Sequence, residues 1–152
     1  MAAVIGTAGD QAALDAAFEV RRAVFVEEQG IPAELEYDEL DATSVHLLAR
    51  DAGGAPLGTA RLISGEQALA LTGIADRVLL GRLAVLAAAR GTGLGAALVG
   101  AVEEAGRALG AKECELHAQV VAMGFYERLG YRAQGPVYDD AGIPHRTMVK
   151  TL

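Results

Sequence analysis

Residues 83–96 read LAVLAAARGTGLGA: an apolar, strand-like run, then Arg90, then three glycines in five residues at Gly91, Gly93 and Gly95. Leu94, Leu98, Val102, Ala105 and Leu109 follow at helical spacing, and Gly110 stands where a glycine ends a helix. Alternating glycines let the backbone take positive φ and remove the Cβ atoms that would hold a ligand away. Successive N–H groups can then converge on one anion, with the positive end of the helix dipole behind them. Arg90 adds a planar donor fork at the rim. The stretch is a candidate cradle for a pyrophosphate.

Several ligand classes use such a turn. A P-loop needs Gly-Lys-Ser/Thr, and no lysine follows these glycines. A dinucleotide site accepts Gly91, Gly93 and Ala96 in the permissive G-x-G-x-x-G/A form, with Glu113 near the acidic position. Only about sixty residues follow the turn, however, too few for the second half of such a domain. Coenzyme A is the remaining class, and a tight turn without a ligand is the structural alternative.

Outward from the turn, residues 2–7 read as a short strand and Asp10 as the N-cap of a helix. Leu14, Ala17, Phe18, Arg21, Val24 and Phe25 give that helix one stripe. Residues 27–41, EEQGIPAELEYDELD, break the pattern and are too polar for core. They form either a solvated acidic loop or one wall of a site for a cationic amine. Residues 44–51 and 56–64 are a hairpin about the turn 52–55, and 76–86 is a further strand. Beyond the long helix come a strand over 112–119, a short helix over 123–129, and strands near 131–134 and 146–151. Helices interspersed with hairpin-linked strands indicate an α+β sheet.

The 152 residues suit one domain, 1–152, long enough to bury a core without staples. The formal charge of −7 argues against sequence-independent nucleic-acid binding, which needs Lys and Arg to displace counterions. An anionic ligand must therefore be held by local donors. Cys114 is the only cysteine, so no intrachain disulfide forms, in keeping with a reducing cytoplasm. Flanked by Glu113 and Glu115, it reads as a small buried hydrophobe. No apolar run reaches membrane-spanning length, and the start, from Met1 to Ile5, lacks the basic residues of a signal peptide. His46, His117 and His145 have no zinc-ligand spacing, so no metal is expected.

Arg90-x-x-Gly93-x-Gly95 after Leu83-Ala84-Val85 resembles the acyl-CoA signature of the GNAT N-acetyltransferase superfamily, and residues 125–131, FYERLGY, resemble its closing helix and strand. The chain is more closely similar to a bacterial subgroup of small, uncharacterised GNAT proteins. Its marks are VFVEEQ at 24–29, Asp38, Asp41, His46, Ala118-Gln119 and GIPH at 142–145. The resemblance implies a GNAT fold: a central, mostly antiparallel mixed sheet of about six or seven strands with about four flanking helices. That sheet would splay between the fourth strand, with Leu83 to Val85, and the fifth, with His117. Acetyl-CoA is the implied co-substrate. The amides of Gly91, Thr92, Gly93, Leu94, Gly95 and Ala96 would hold its pyrophosphate, and the main chain of Leu83, Ala84 and Val85 would pair with the pantetheine arm. Gln119 stands where many relatives place a cofactor-contacting Asn. Tyr126 matches the tyrosine that protonates the departing thiolate. Ala87 departs from the family, where many relatives have Pro, which affects loop stiffness. A homodimer is common in folds of this kind.

Acyl transfer from a thioester to an amine needs positioning and proton handling more than covalent help. A backbone N–H near Val85 can serve the carbonyl oxygen. Tyr126 is a candidate acid; otherwise it is core beside Phe125 and Leu129. His117 shares strand parity with Gln119 and is a candidate base, or else a hydrogen-bonded structural histidine. Glu28 is the second candidate base, while His46 and His145 read as structural. The first expectation is an N-acetyltransferase that moves an acetyl group directly to a small-molecule or peptide amine. A non-catalytic acyl-CoA-binding module or regulator is the alternative, and a dinucleotide-binding protein the third.

Overall fold

The computed structural model describes residues 3–152, so Met1 and Ala2, the latter the first residue of the expected first strand, lie outside it. Seven strands form one sheet in the order β1-β2-β3-β4-β5-β7-β6. They are β1 (Val4–Thr7), β2 (Val45–Arg50), β3 (Pro56–Ile63), β4 (Arg77–Val85), β5 (Glu113–Gln119), β6 (Arg132–Asp140) and β7 (Ile143–Thr151). Neighbours pair antiparallel except β4 and β5, which are parallel. The helices are α1 (Gln11–Arg21), α2 (Ala33–Glu36), α3 (Gly65–Thr72), α4 (Leu94–Ala108) and α5 (Met123–Arg128). This is the expected α+β GNAT fold.

One face of the sheet packs on α4 through Leu47, Ala60, Leu62, Val78, Leu80, Cys114 and Leu116, which meet Leu94, Leu98 and Val102. The helix is anchored by burial of its stripe, each fully buried aliphatic side chain contributing about 1.5–3 kcal/mol. Leu109, expected on that stripe, is 62% exposed, because the helix ends at Ala108 and Gly110, at φ +88°, turns the chain away. The opposite face carries α1 and α3. Asp10 caps α1 as expected, its carboxylate accepting from the Ala13 amide at 2.8 Å. After Arg21 the helix widens into π-type turns over Arg22–Glu28, with the Gln29 amide bonded to the Val24 carbonyl.

Residues 27–41 depart most from expectation. They are neither a plain loop nor fully solvated: α2 and a short 3₁₀ turn (Glu39–Ala42) bring acids inward onto arginines. Arg21 is completely buried and Glu36 is 2% exposed. Arg21 donates to Glu36 at 2.7 Å and to Asp41 at 2.7 Å, and Arg61 donates to Asp38 at 2.7 Å and Asp41 at 2.9 Å. Arg82 joins through Asp38 at 3.3 Å and the Glu36 carbonyl at 3.1 Å. Three arginines and three carboxylates thus compensate one another beneath α1. The 3₁₀ turn also forms a capping box between Asp38 and Asp41. The strands expected near 131–134 and 146–151 are longer than their apolar runs. β6 reaches Asp140 and β7 begins at Ile143, joined by the tight turn of Ala141 and Gly142, both at positive φ.

Burial works to raise the Asp41 carboxyl, but the hydrogen bond and charge of Arg21, then the bonds from Arg61 and the Asp38 amide, outweigh it and hold the group at about 2. A depressed carboxyl stabilises the fold fully above the ordinary carboxylate range and loses that contribution as pH falls toward its own value. Urea unfolding should therefore show a stability loss of about 2 kcal/mol between pH 5 and pH 2 traceable to Asp41. Asp41→Asn should be less stable at pH 5 and should lack this part of the pH dependence.

Candidate active site

Between Arg77 and Leu80, β4 pairs in register with Glu113 to Leu116 of β5. There the ladder stops, although β4 runs on to Val85 and β5 to Gln119. The cause lies on the other side of β4. Against β3, Gly81 faces Arg61 and Ala84 faces Thr59, so three steps on β4 match two on β3. The extra residue is a β-bulge, and Arg82 within it takes the left-handed region at φ +51°. The bulge bends β4 away from β5 and opens a V-shaped slot. A cavity of about 650 Å³ occupies it, lined by both diverging strands, by Phe25, Glu28 and Gln29 of the π-type turns that follow α1 and their cap, by the glycine turn, and by Tyr126.

The Leu86 amide bonds to the Leu57 carbonyl of β3 at 2.9 Å. By strand alternation, the main chain of Val85 and Leu83 is turned to the slot. Indeed the Val85 carbonyl accepts from Arg90 Nε at 3.0 Å. At the slot's end Gly91 and Gly93 have φ of +77° and +86°, and Gly93 is the residue preceding α4. A Cβ at either would meet nothing within 4 Å, so it is backbone conformation that calls for glycine there. Gly95 differs. It is helical, and a Cβ there would stand 3.3 Å from Phe125 Cζ. Among the described residues, the six amides from Gly91 to Ala96 have no protein hydrogen-bond acceptor. Six donors in succession at a helix N-terminus can hold a diphosphate.

Arg90 and Glu28 come together rather than serving separately. Two guanidinium nitrogens of Arg90 bind the two Glu28 oxygens at 2.7 and 2.8 Å across the rim. The hydrogen bond from Arg90 is the main cause that lowers the Glu28 carboxyl below its ordinary value, which makes it a poorer proton acceptor. Gln119 donates to Gln29 at 2.9 Å, so the end of the π-type turns is tied to both Arg90 and β5.

Tyr126 and His117 approach the slot from opposite faces of the sheet. Tyr126, 9% exposed, packs with Leu116, Ala118 and Cys114 on the α4 side. Burial, with a smaller contribution from Cys114, pushes its phenol up to about 12, so it stays protonated and able to donate. His117 belongs to the other parity of β5 and is 48% exposed at its side chain. Its Nε2 lies 2.8 Å from Glu115, which also accepts from Arg77 at 3.0 Å. The sequence reading missed this Arg77–Glu115–His117 chain, although the alternation of Glu113, Glu115, His117 and Gln119 carries its parity. It missed Arg82 too, since no residue pattern marks the bulge. His46 Nε2 donates to the Asp41 carbonyl at 2.9 Å, away from the slot, whereas His145 lines the cavity. Cys114 is wholly buried, and burial pushes its thiol up to about 11. No three His, Cys, Asp or Glu side chains among the described residues converge as a metal site, and no described helix is long and apolar enough to cross a membrane.

Residues 7–152 match the acetyltransferase (GNAT) domain family. The chain belongs to the GNAT acetyltransferase family. This GNAT chain is 39% identical over 151 residues to the uncharacterized N-acetyltransferase YjcF of Bacillus subtilis, a match that covers 99% of each. An acyl-CoA N-acyltransferase structure from Pseudomonas aeruginosa superposes with a TM-score of 0.81 at 31% identity, covering 99% of both chains. ElaA of Escherichia coli gives 0.81 at 26% identity over 98% of both. GNAT membership implies use of an acyl-CoA, and the bulge, the open slot and the six free amides fit such a ligand.

Gly95→Val should destabilise this GNAT domain by about 1–3 kcal/mol, because the branched side chain must displace the Phe125 ring. Urea denaturation against the parent checks this, and an unchanged midpoint would show that the ring yields freely.

Proposed function

We propose that the protein transfers an acetyl group from acetyl-CoA directly to a primary amine of a small molecule or peptide. The observation that carries the reading is the run of unsatisfied amides from Gly91 to Ala96 at the mouth of a slot whose walls are the unpaired edges of β4 and β5. These amides hold the pyrophosphate, and the main chain of Leu83 to Val85 holds the pantetheine arm as an added strand would. To bind there, the arm must displace Arg90 Nε from the Val85 carbonyl, while the two terminal guanidinium nitrogens keep their bonds to Glu28. Gln119 closes the β5 side. Acetyl-CoA supplies an activated thioester carbonyl.

The chain's own residues handle protons. As the amine nitrogen bonds to the acyl carbon and the carbon–sulfur bond breaks, the electron pair leaves with sulfur. Tyr126 Oη, kept protonated by burial, donates to it from the α4 side. His117, on the opposite face, takes the proton released by the amine. Of the two candidate bases the geometry favours His117, because Glu28 is already paired with Arg90. The backbone N–H near Val85 is available to the carbonyl oxygen.

Release of free thiol from acetyl-CoA across a panel of small and peptide amines tests the activity. Binding without turnover on any amine would favour a binding module. Gly93→Glu should abolish acetyl-CoA binding in calorimetry, since it sets a bulky anion where the pyrophosphate lies and strains a backbone at φ +86°. Unchanged affinity would remove the cradle from the glycine turn. Tyr126→Phe should lower kcat by about a hundredfold while leaving acetyl-CoA affinity intact. Equal turnover would leave Tyr126 a core residue only.

A further inference from the structure

We propose that Glu115 is a positioning residue that fixes the His117 proton on Nε2 and so leaves Nδ1 as the basic nitrogen; this rests on the reading of His117 as the proton acceptor. Glu115 is buried, and its two oxygens are divided between two partners. Oε1 accepts from Arg77 Nη1 at 3.0 Å, and Oε2 lies 2.8 Å from His117 Nε2. A carboxylate can only accept, so the ring nitrogen facing it is the one that carries hydrogen. Arg77 is itself held by Glu113 at 3.2 Å through Nε and Nη2, which fixes the direction from which it reaches Glu115. Burial works to raise the Glu115 carboxyl, but the bonds from His117 and Arg77 outweigh it and keep it ionised. The ring edge is set from the far side by Tyr138 of β6, at a centroid distance of 6.0 Å and nearly perpendicular, and Thr147 of β7 stands across the ladder. Nδ1 has no hydrogen-bond partner among the described residues, and His117 lines the cavity. The proton received from the amine nitrogen therefore goes to Nδ1, and the resulting imidazolium is stabilised by the carboxylate on Nε2.

An isosteric substitution gives the test its sign. In Glu115→Gln one oxygen becomes an NH₂ donor. Arg77 has no acceptor to offer, so the remaining amide oxygen stays with Arg77 and the NH₂ turns to His117. The ring must then accept at Nε2 and carry its proton on Nδ1, the nitrogen that should be free. Two-bond ¹⁵N–¹H correlation spectra of the protein alone, above about pH 8 where histidine is ordinarily neutral, report the tautomer. With three histidines in the chain, His117→Gln assigns the signal.

The wild-type protein should show the Nε2–H form, a result that needs no variant to fold, and Glu115→Gln should show Nδ1–H. With the best amine of the panel, Glu115→Gln should lower kcat about a hundredfold with the KM for acetyl-CoA unchanged. Added to His117→Gln, it should cause no further loss. A wild-type Nδ1–H tautomer, a variant that keeps Nε2–H, an inverted tautomer with full turnover, or an equal loss in the His117→Gln background would each overturn the proposal. If His117→Gln alone keeps full turnover, the base assignment falls, while the spectra still decide whether Glu115 sets the tautomer.

Discussion

The slot exists because β4 carries one residue more than β3 can match, and that residue, Arg82, sits in a backbone region that a long side chain rarely takes. Such a conformation costs about 1–3 kcal/mol and persists only where its surroundings over-determine it. Here the surroundings are the buried ionic cluster. Arg82 is held by the Glu36 carbonyl and by Asp38, and these acids are fixed in turn by Arg21 and Arg61. Removing one member of such a cluster leaves an uncompensated buried charge, which is far more costly than losing the pair's net contribution. Acids on the segment between α1 and β2 thus hold the bulge that parts β4 from β5. The same bend turns the main chain of Leu83 to Val85 outward and sets the glycine turn at the slot's end.

A sheet opened in this way gives access from both faces at once. Tyr126, low and buried on the α4 side, and His117, half-exposed on the other, face the slot from opposite sides, as the proposed acid and base roles require. The electrostatics are correspondingly local. The chain is strongly acidic overall, yet the proposed anion-binding end offers amides and a helix terminus, which no count of charged residues reveals. The charges nearest the slot are largely spent on one another, Glu28 on Arg90 and Glu115 on Arg77 and His117.

The strands flanking the glycine turn, the capped α1 and the hairpin about Gly53 and Gly54 were legible, because each is written in local periodicity or turn chemistry. Gly91 and Gly93 carry the positive φ that alternating glycines suggest, whereas Gly95 is glycine for room beside Phe125, a tertiary reason invisible in the run itself. Most of residues 27–41 is exposed, as their polarity suggests, but the burial of Glu36 and the partial burial of Asp41 could not be read there, because they depend on Arg21, Arg61 and Arg82, which lie on three separate elements. Arg21 itself was read within an apolar stripe, and position was right even though chemistry was not: it is fully buried, as a charged partner instead of a hydrophobe. The length of β6 escaped because an edge strand with most residues exposed leaves little alternation to read.

Cys114 has a practical consequence for anyone testing the proposed reaction by colour. It is the sole sulfhydryl of the chain, it has no contact with solvent, and it stays protonated through the alkaline range in which disulfide dyes are used. The folded protein is therefore silent toward such reagents. Any mercaptan they count comes from outside the folded chain, as release from the proposed acetyl-CoA donor requires.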